Sequence, residues 1–97
     1  METITVEQFS DLKHTIGYKR DKIKDGKYYA WRNFFGVSKE SEQWEDLVNR
    51  GFATKNTVFG EIVYHVSDKG FLFLSDMLDI EIVTEEPEQE EVKQVVR

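Results

Sequence analysis

Few side chains in this 97-residue sequence could carry chemistry: two histidines, a scatter of serines, several adjacent carboxylates and two tryptophans, with no cysteine. Without cysteine, a zinc site would need both histidines plus carboxylates. His14 and His65 fall on separate predicted elements without ligand spacing, so both are read as structural or solvent-facing imidazoles. None of Ser10, Ser38, Ser41, Ser67 and Ser75 has a nucleophile-elbow context, and Ser38 and Ser67 are accounted for as helix caps. The six glycines are spaced as punctuation, not as a phosphate-cradling loop. Glu45 with Asp46, and Glu85 with Glu86, are adjacent carboxylates with no predicted cleft around them, and read as surface. Trp31 and Trp44 invite a ligand-stacking reading, but they are assigned to the core, because a chain with few large residues spends its aromatics there. The expectation is a non-enzyme with no catalytic residue, no metal and no cofactor.

Charge carries more information than catalytic chemistry. The chain has 13 basic and 19 acidic residues, a net of −6. Residues 13–32 reverse that sign: Lys13, Lys19, Arg20, Lys22, Lys24, Lys27 and Arg32 stand against Asp21 and Asp25, a local net of +5, so the remainder carries −11. Such asymmetry marks either an interaction surface or a solvated loop. The length fits one domain with a modest core. Absence of cysteine excludes a disulfide scaffold and fits a reducing compartment. No apolar run reaches membrane-spanning length and the N-terminus lacks a signal pattern, so a cytoplasmic location is expected.

The elements that must position these residues follow from caps and periodicity. Thr5 with Gln8 forms a capping box, and Val6, Phe9, Leu12 and Ile16 follow at helical spacing until Gly17 ends the helix. Residues 18–26 read as a loop. In 27–35 the face Trp31, Phe34, Phe35 at i, i+3, i+4 predicts a short helix. A further helix is predicted from the cap Ser38 to Arg50, with stripe Trp44, Leu47, Val48 and with Gly51 as its left-handed stop. Residues 52–55 extend, 56–60 turn, and 62–67 alternate with Ile62, Tyr64 and Val66 on one face. Ser67 caps a last helix whose Phe71, Leu74 and Leu78, flanked by Phe73, Met77 and Ile80, predict a place at the centre of the core. Ile80, Ile82 and Val83 suggest a short strand. Residues 1–83 are taken as the domain. Residues 84–97, with five glutamates and the only proline, are taken as an acidic tail in which Val92, Val95 and Val96 mark one face of a short helix.

Trp44-Glu-Asp-Leu-Val-Asn-Arg-Gly-Phe-Ala53 and Tyr64-His-Val-Ser-Asp-Lys-Gly-Phe-Leu-Phe-Leu74 resemble the recognition helix, wing and closing helix of bacterial winged-helix domains. The resemblance implies an α+β winged-helix domain: three helices, a two-stranded wing and a closing helix. Tyr29-Ala-Trp-Arg-Asn-Phe-Phe35 is similar to a signature in small phage-encoded proteins of uncharacterised function.

Two functions then compete. A DNA-binding regulator would lay its third helix in the major groove, with Lys19, Arg20, Lys22, Lys24, Lys27 and Lys55 on phosphates. Residues 38–50, however, carry Glu40, Glu42, Glu45 and Asp46 against Lys39 and Arg50, and these carboxylates repel a phosphate-lined groove. The expectation put first is therefore a protein-interaction module, docking on a protein partner through Glu42, Glu45, Asp46 and Asn49, or pairing with a second copy through the first helix, the final helix or the tail. The DNA-binding regulator is the alternative. No membrane or small-molecule substrate is expected.

Overall fold

The computed structural model describes residues 3–85. They form a small α+β domain. Helix α1 (Val6–Thr15) leads through a 3-10 turn (Arg20–Lys22) to strands β1 (Lys27–Tyr29) and β2 (Phe35–Val37). Helix α2 (Glu42–Asn49), strands β3 (Ala53–Val58) and β4 (Glu61–Val66), helix α3 (Asp68–Leu78) and strand β5 (Glu81–Val83) follow. An antiparallel sheet has the order β2-β4-β3, and β1 pairs with β5 in parallel. Among the described residues no helix is long and apolar enough to cross a membrane.

Local capping chemistry sets the helix ends. The Thr5 hydroxyl accepts from the Gln8 N–H at 3.0 Å, and the Thr5 N–H donates to Gln8 Oε1 at 2.9 Å. Helices α1 and α2 end alike. Gly17 (φ +67°) and Gly51 (φ +86°) take the left-handed position. The next N–H reaches back one turn: Tyr18 to the Lys13 carbonyl, and Phe52 to that of Leu47, both at 2.9 Å. Only glycine enters that backbone region without a side-chain penalty. Ser67 caps α3 through the Gly70 N–H at 3.1 Å.

Several expectations are corrected. No helix forms over 27–35. Tyr28 and Tyr29 lie in β1 and Phe35 in β2, so two α-helices, not three, precede the hairpin. The aromatic spacing satisfied a helix, but Tyr28 and Tyr29 also suit a strand, and β5 supplies a ladder from the far end of the domain. The loop read over 18–26 holds the 3-10 turn and a tight return in which Lys24 and Lys27 exchange backbone bonds at 2.9 Å each. The N-cap of α2 is Ser41, not Ser38: Ser41 Oγ accepts from the Trp44 N–H, and the Ser41 N–H is taken by the Tyr64 hydroxyl. The hairpin turn is two residues, Phe59 and Gly60, not five. Asn56, Thr57 and Val58 continue the ladder opposite Val63, Ile62 and Glu61. The sheet gains a third strand, β2, beyond the expected two-stranded wing. The short strand β5 forms as expected, and the tail beyond Glu85, including Val92, Val95 and Val96, lies outside the described residues.

The core gathers Leu12 and Ile16 of α1, Tyr28, Trp44 and Leu47 of α2, Phe52, Tyr64, Val66 and Leu74. At its centre Phe35 stacks on Trp44 and Trp44 on Tyr64, each with ring centroids 5.2 Å apart. Three placements differ from expectation. Val6 is exposed while Gln8 is buried. Trp31 is an exposed residue rather than core. Helix α3 is not central: it buries Gly70 and Leu74 but leaves Met77 exposed and Leu72 70% exposed. Gly70 lets α3 press onto the chain entering the hairpin. A Cβ there would lie 2.1 Å from the Phe52 carbonyl oxygen and 2.7 Å from a Val66 methyl.

Two stability changes follow. Gly70→Ala should destabilise the domain by roughly 1–3 kcal/mol, since the obstacle is backbone and cannot swing aside. An unchanged urea midpoint would contradict the packing. Phe59 sits fully exposed at φ +50° beside Gly60 at φ +81°, in a turn that favours Asn-Gly. Phe59→Asn should therefore stabilise by about 1 kcal/mol, a rise in Tm of roughly 4–8 °C for a domain of this size.

Candidate functional site

The four residues expected to form a partner surface on α2 divide. Glu42 and Asn49 are exposed. Glu45 and Asp46 are engaged within the domain. Glu45 accepts from the Tyr64 hydroxyl at 2.6 Å and pairs with Lys55 Nζ at 3.0 Å. Asp46 accepts from Gln8 Nε2 at 2.8 Å and pairs with Arg50 at 2.9 Å. The Tyr64 hydroxyl, followed by Lys55, holds the Glu45 carboxyl below its ordinary range. The Gln8 amide, followed by Arg50, does the same for Asp46. These carboxylates fasten α2 to α1 and β4, and Asp46 does so while still exposed.

Lys55, the cation expected to contact nucleic acid from the hairpin, is exposed and paired. Its ammonium bridges Glu40 at 2.7 Å and Glu45 at 3.0 Å, and the hydrogen bonds it donates to both raise its pKa.

The basic segment is placed differently. Lys19, Arg20, Lys22, Lys24 and Lys27 are all exposed, and among the described residues none of them makes an ion pair. They follow the end of α1 directly. Tyr18 closes that helix, the 3-10 turn carries Arg20 and Lys22, and the tight return sets Lys24 beside Lys27. The return is fixed to the body where the Glu81 N–H donates to the Gly26 carbonyl at 2.8 Å.

Residues 28–33, expected to be helical and partly core, instead build an aromatic platform next to these cations. The Tyr28 hydroxyl donates to the Gly17 carbonyl. Trp31 Nε1 donates to the same oxygen at 3.3 Å, and the indole lies so close over Gly17 that a Cβ there would meet the ring at 2.6 Å. Arg32 Nε donates to the Thr15 carbonyl at 3.3 Å. The Arg32 guanidinium sits 4.4 Å from the Phe34 ring centroid and 5.8 Å from that of Trp31. Asn33 completes the sequence by accepting from the Val66 N–H at 2.7 Å and donating to its carbonyl at 3.0 Å, as a strand neighbour would.

Backbone N–H groups close on the Leu12, Lys13 and His14 carbonyls at the end of α1, Arg32 takes that of Thr15, and Tyr28 and Trp31 take that of Gly17 just beyond the helix. The consequence is a fixed platform whose outer side stays open, with Trp31 57% and Phe34 52% exposed. Lys19 follows Gly17 by two positions, at most about 7.6 Å along the backbone, so the indole and the first cations share one end of the domain. An open groove of about 670 Å³ runs from Trp31, Arg32 and Asn33 to Ser67 and Phe71 of the α3 start and to Thr84.

Sequence reasoning named the cations but missed Trp31, Arg32 and Phe34 as a surface. The available signal was an Arg between aromatics within a local excess of positive charge. Among the described residues no group of three or more acidic or histidine side chains is arranged to hold a metal. His14 is exposed and edge-on to Phe35, and His65 lies in β4 opposite Thr54. Compared with protein-family models, curated proteins and solved structures, the chain finds no match in any of the three.

The depressed pKa values of Glu45 and Asp46 fix the sign of a pH effect. Folding favours the ionised carboxylates, so their stabilisation is complete above the ordinary values of 4.5 and 3.8 and is lost as pH falls through the folded values. Glu45→Gln should be less stable than the parent at neutral pH, with the gap narrowing as pH drops from about 5 to about 3. Urea midpoints measured against pH check this, and a gap that stays constant would contradict it.

Proposed function

We propose that this protein is a non-enzymatic nucleic-acid-binding module on a winged-helix-like frame. Its working surface is the basic and aromatic end of the domain rather than the helix before the hairpin. One observation carries the reading: five exposed cations without ion pairs among the described residues stand beside an aromatic platform, while the carboxylates Glu45 and Asp46 and the hairpin cation Lys55 are engaged internally.

The winged-helix frame draws support from the β2-β4-β3 order, the hairpin that follows α2 and the Ser67 cap with Gly70 behind it. It departs from that pattern in having strand rather than helix between α1 and α2. With Glu42, Asp46 and Asn49 on its exposed face, α2 is poorly suited to a phosphate-lined groove. Binding through the 19–27 segment avoids that conflict, because lysines on phosphates position a nucleic acid without reading bases.

A protein partner is the second reading, and a separate observation favours it. Leu72 and Met77 on α3 and Phe59 at the hairpin tip are large apolar side chains left in solvent, the kind of residue that anchors protein interfaces. In that reading Glu42 and Asn49 form part of the rim, and a second copy of the chain is one candidate partner.

Titration of labelled DNA, duplex and single-stranded, at low and physiological salt tests the first reading. Binding should weaken steeply with salt. Lys22→Glu with Lys24→Glu should reduce affinity by about tenfold or more and flatten the salt slope by about 1 to 2. No binding to either form at low salt would exclude nucleic acid and leave the protein reading.

A further inference from the structure

Resting on that reading, we infer that the ligand is single-stranded nucleic acid, held by an unpaired base stacked on the outer face of Trp31 while the 19–27 cations follow the backbone. The geometry of the platform distinguishes this from duplex binding. A tryptophan lying on the surface can stack only on a base that has left its helix. Trp31 has the properties such a platform needs. The Nε1, Cε2 and Cζ2 atoms of the indole rest on Gly17, its N–H is held by the Gly17 carbonyl, Arg32 stands 5.8 Å from the ring centroid, and the residue remains 57% exposed. Because the ring is already fixed, little side-chain freedom is lost on binding.

Arg32 extends the platform. Its guanidinium is fixed by the Thr15 and Phe34 carbonyls and stands between Trp31 and Phe34. A planar cation flanked by two aromatic rings offers stacking together with charge, which suits a nucleotide and is sequence-tolerant. Both rings are more than half exposed. Burial of such rings is the ordinary expectation in a small domain, and here two of them are kept in water beside the densest positive charge in the chain. Duplex DNA would engage the lysines but leave Trp31 and Phe34 without use. An acidic polypeptide would satisfy the charges and likewise has no flat ring to place on the indole.

The two tryptophans make the test direct. Trp44 is fully buried in the aromatic stack, whereas Trp31 is open, so ligand-induced change in tryptophan emission reports on Trp31. The full chain is titrated with oligothymidylate and oligouridylate of about 12 nucleotides, with a duplex of the same length and with polyglutamate. The expected result is strong quenching by either single strand, with the duplex bound at least about tenfold more weakly. Titrated against end-labelled strands, since these variants lack the reporting indole, Trp31→Ala should lose about tenfold or more in single-strand affinity relative to the parent, and Trp31→Phe should recover much of it. Circular dichroism and the residual Trp44 emission show that each variant is folded.

Wild-type affinity in folded Trp31→Ala, or equal quenching by duplex or polyglutamate, would overturn the inference. If binding also remained sensitive to Lys22→Glu with Lys24→Glu, nucleic-acid binding through phosphates alone would survive it. Absence of binding by every nucleic acid at low salt would overturn both readings together.

Discussion

The hydroxyl of Tyr64 is the junction on which the domain depends. It accepts the N–H of Ser41 at the start of α2 and donates to Glu45 one turn later, while its ring stacks under Trp44. One residue of β4 thereby fixes where α2 begins, which face it buries and how it lies on the sheet. Lys55, on the neighbouring strand β3, closes the arrangement by pairing with Glu45 and Glu40. Exposed ion pairs contribute little individually, but this one shares its carboxylate with a buried tyrosine. Removing Glu45 would leave the phenol O–H without its acceptor while its oxygen still accepts from Ser41, and a buried donor without a partner is costly.

A second constraint, at the other end of the domain, follows from how a helix stops. Helix α1 ends on Gly17, and its terminal carbonyls need donors. The backbone N–H groups of residues 16–18 supply three of them, and the side chains of Arg32, Tyr28 and Trp31 serve the carbonyls of Thr15 and Gly17 at the exit; a helix over 27–35 would have distributed those three residues around its own axis. Extending this segment lets it serve three neighbours in succession: β5 through the ladder and the Ala30 N–H, the end of α1 through side-chain donors, and the edge of β4 through Asn33. The aromatic platform is a consequence of that anchoring. Trp31 is held by its polar atom and by its contact with Gly17, so its face need not be buried for the ring to be ordered.

These two constraints explain what the sequence discloses. Thr5 with Gln8, Ser67, Gly17 and Gly51 are legible because a cap involves residues three to five apart and little else. The alternation of Ile62, Tyr64 and Val66 is legible for the same reason: burial of every second residue is a local pattern. The segment 27–35 is not legible, because its spacing is compatible with a helix and its partners lie at Gly17, Val66 and Val83, far away in the chain. The choice between Ser38 and Ser41 as a cap is settled by Tyr64, again a distant residue. The candidate site divides in the same way. Lys19, Arg20, Lys22, Lys24 and Lys27 announce themselves by composition. The engagement of Glu45, Asp46 and Lys55, and the exposure of Trp31 and Phe34, arise only from folding.

Net charge is a weak guide to this protein's surface for the same reason. Summed over the chain, the carboxylates argue against an anionic ligand. Yet in the structure Glu40, Glu45 and Asp46 face Lys55 and Arg50 at 2.7 to 3.0 Å, so two of these three negative charges are offset locally. At physiological ionic strength exposed charges act over about 8 Å, so a ligand arriving at the 19–27 segment responds to the cations nearest it and to Asp21 and Asp25 between them. An acidic protein can thus hold a basic end, provided that its other charges are either paired or far away. Internal pairing around α2 contributes to the first condition, and the basic segment, which follows the end of α1, makes no ion pair with those carboxylates among the described residues.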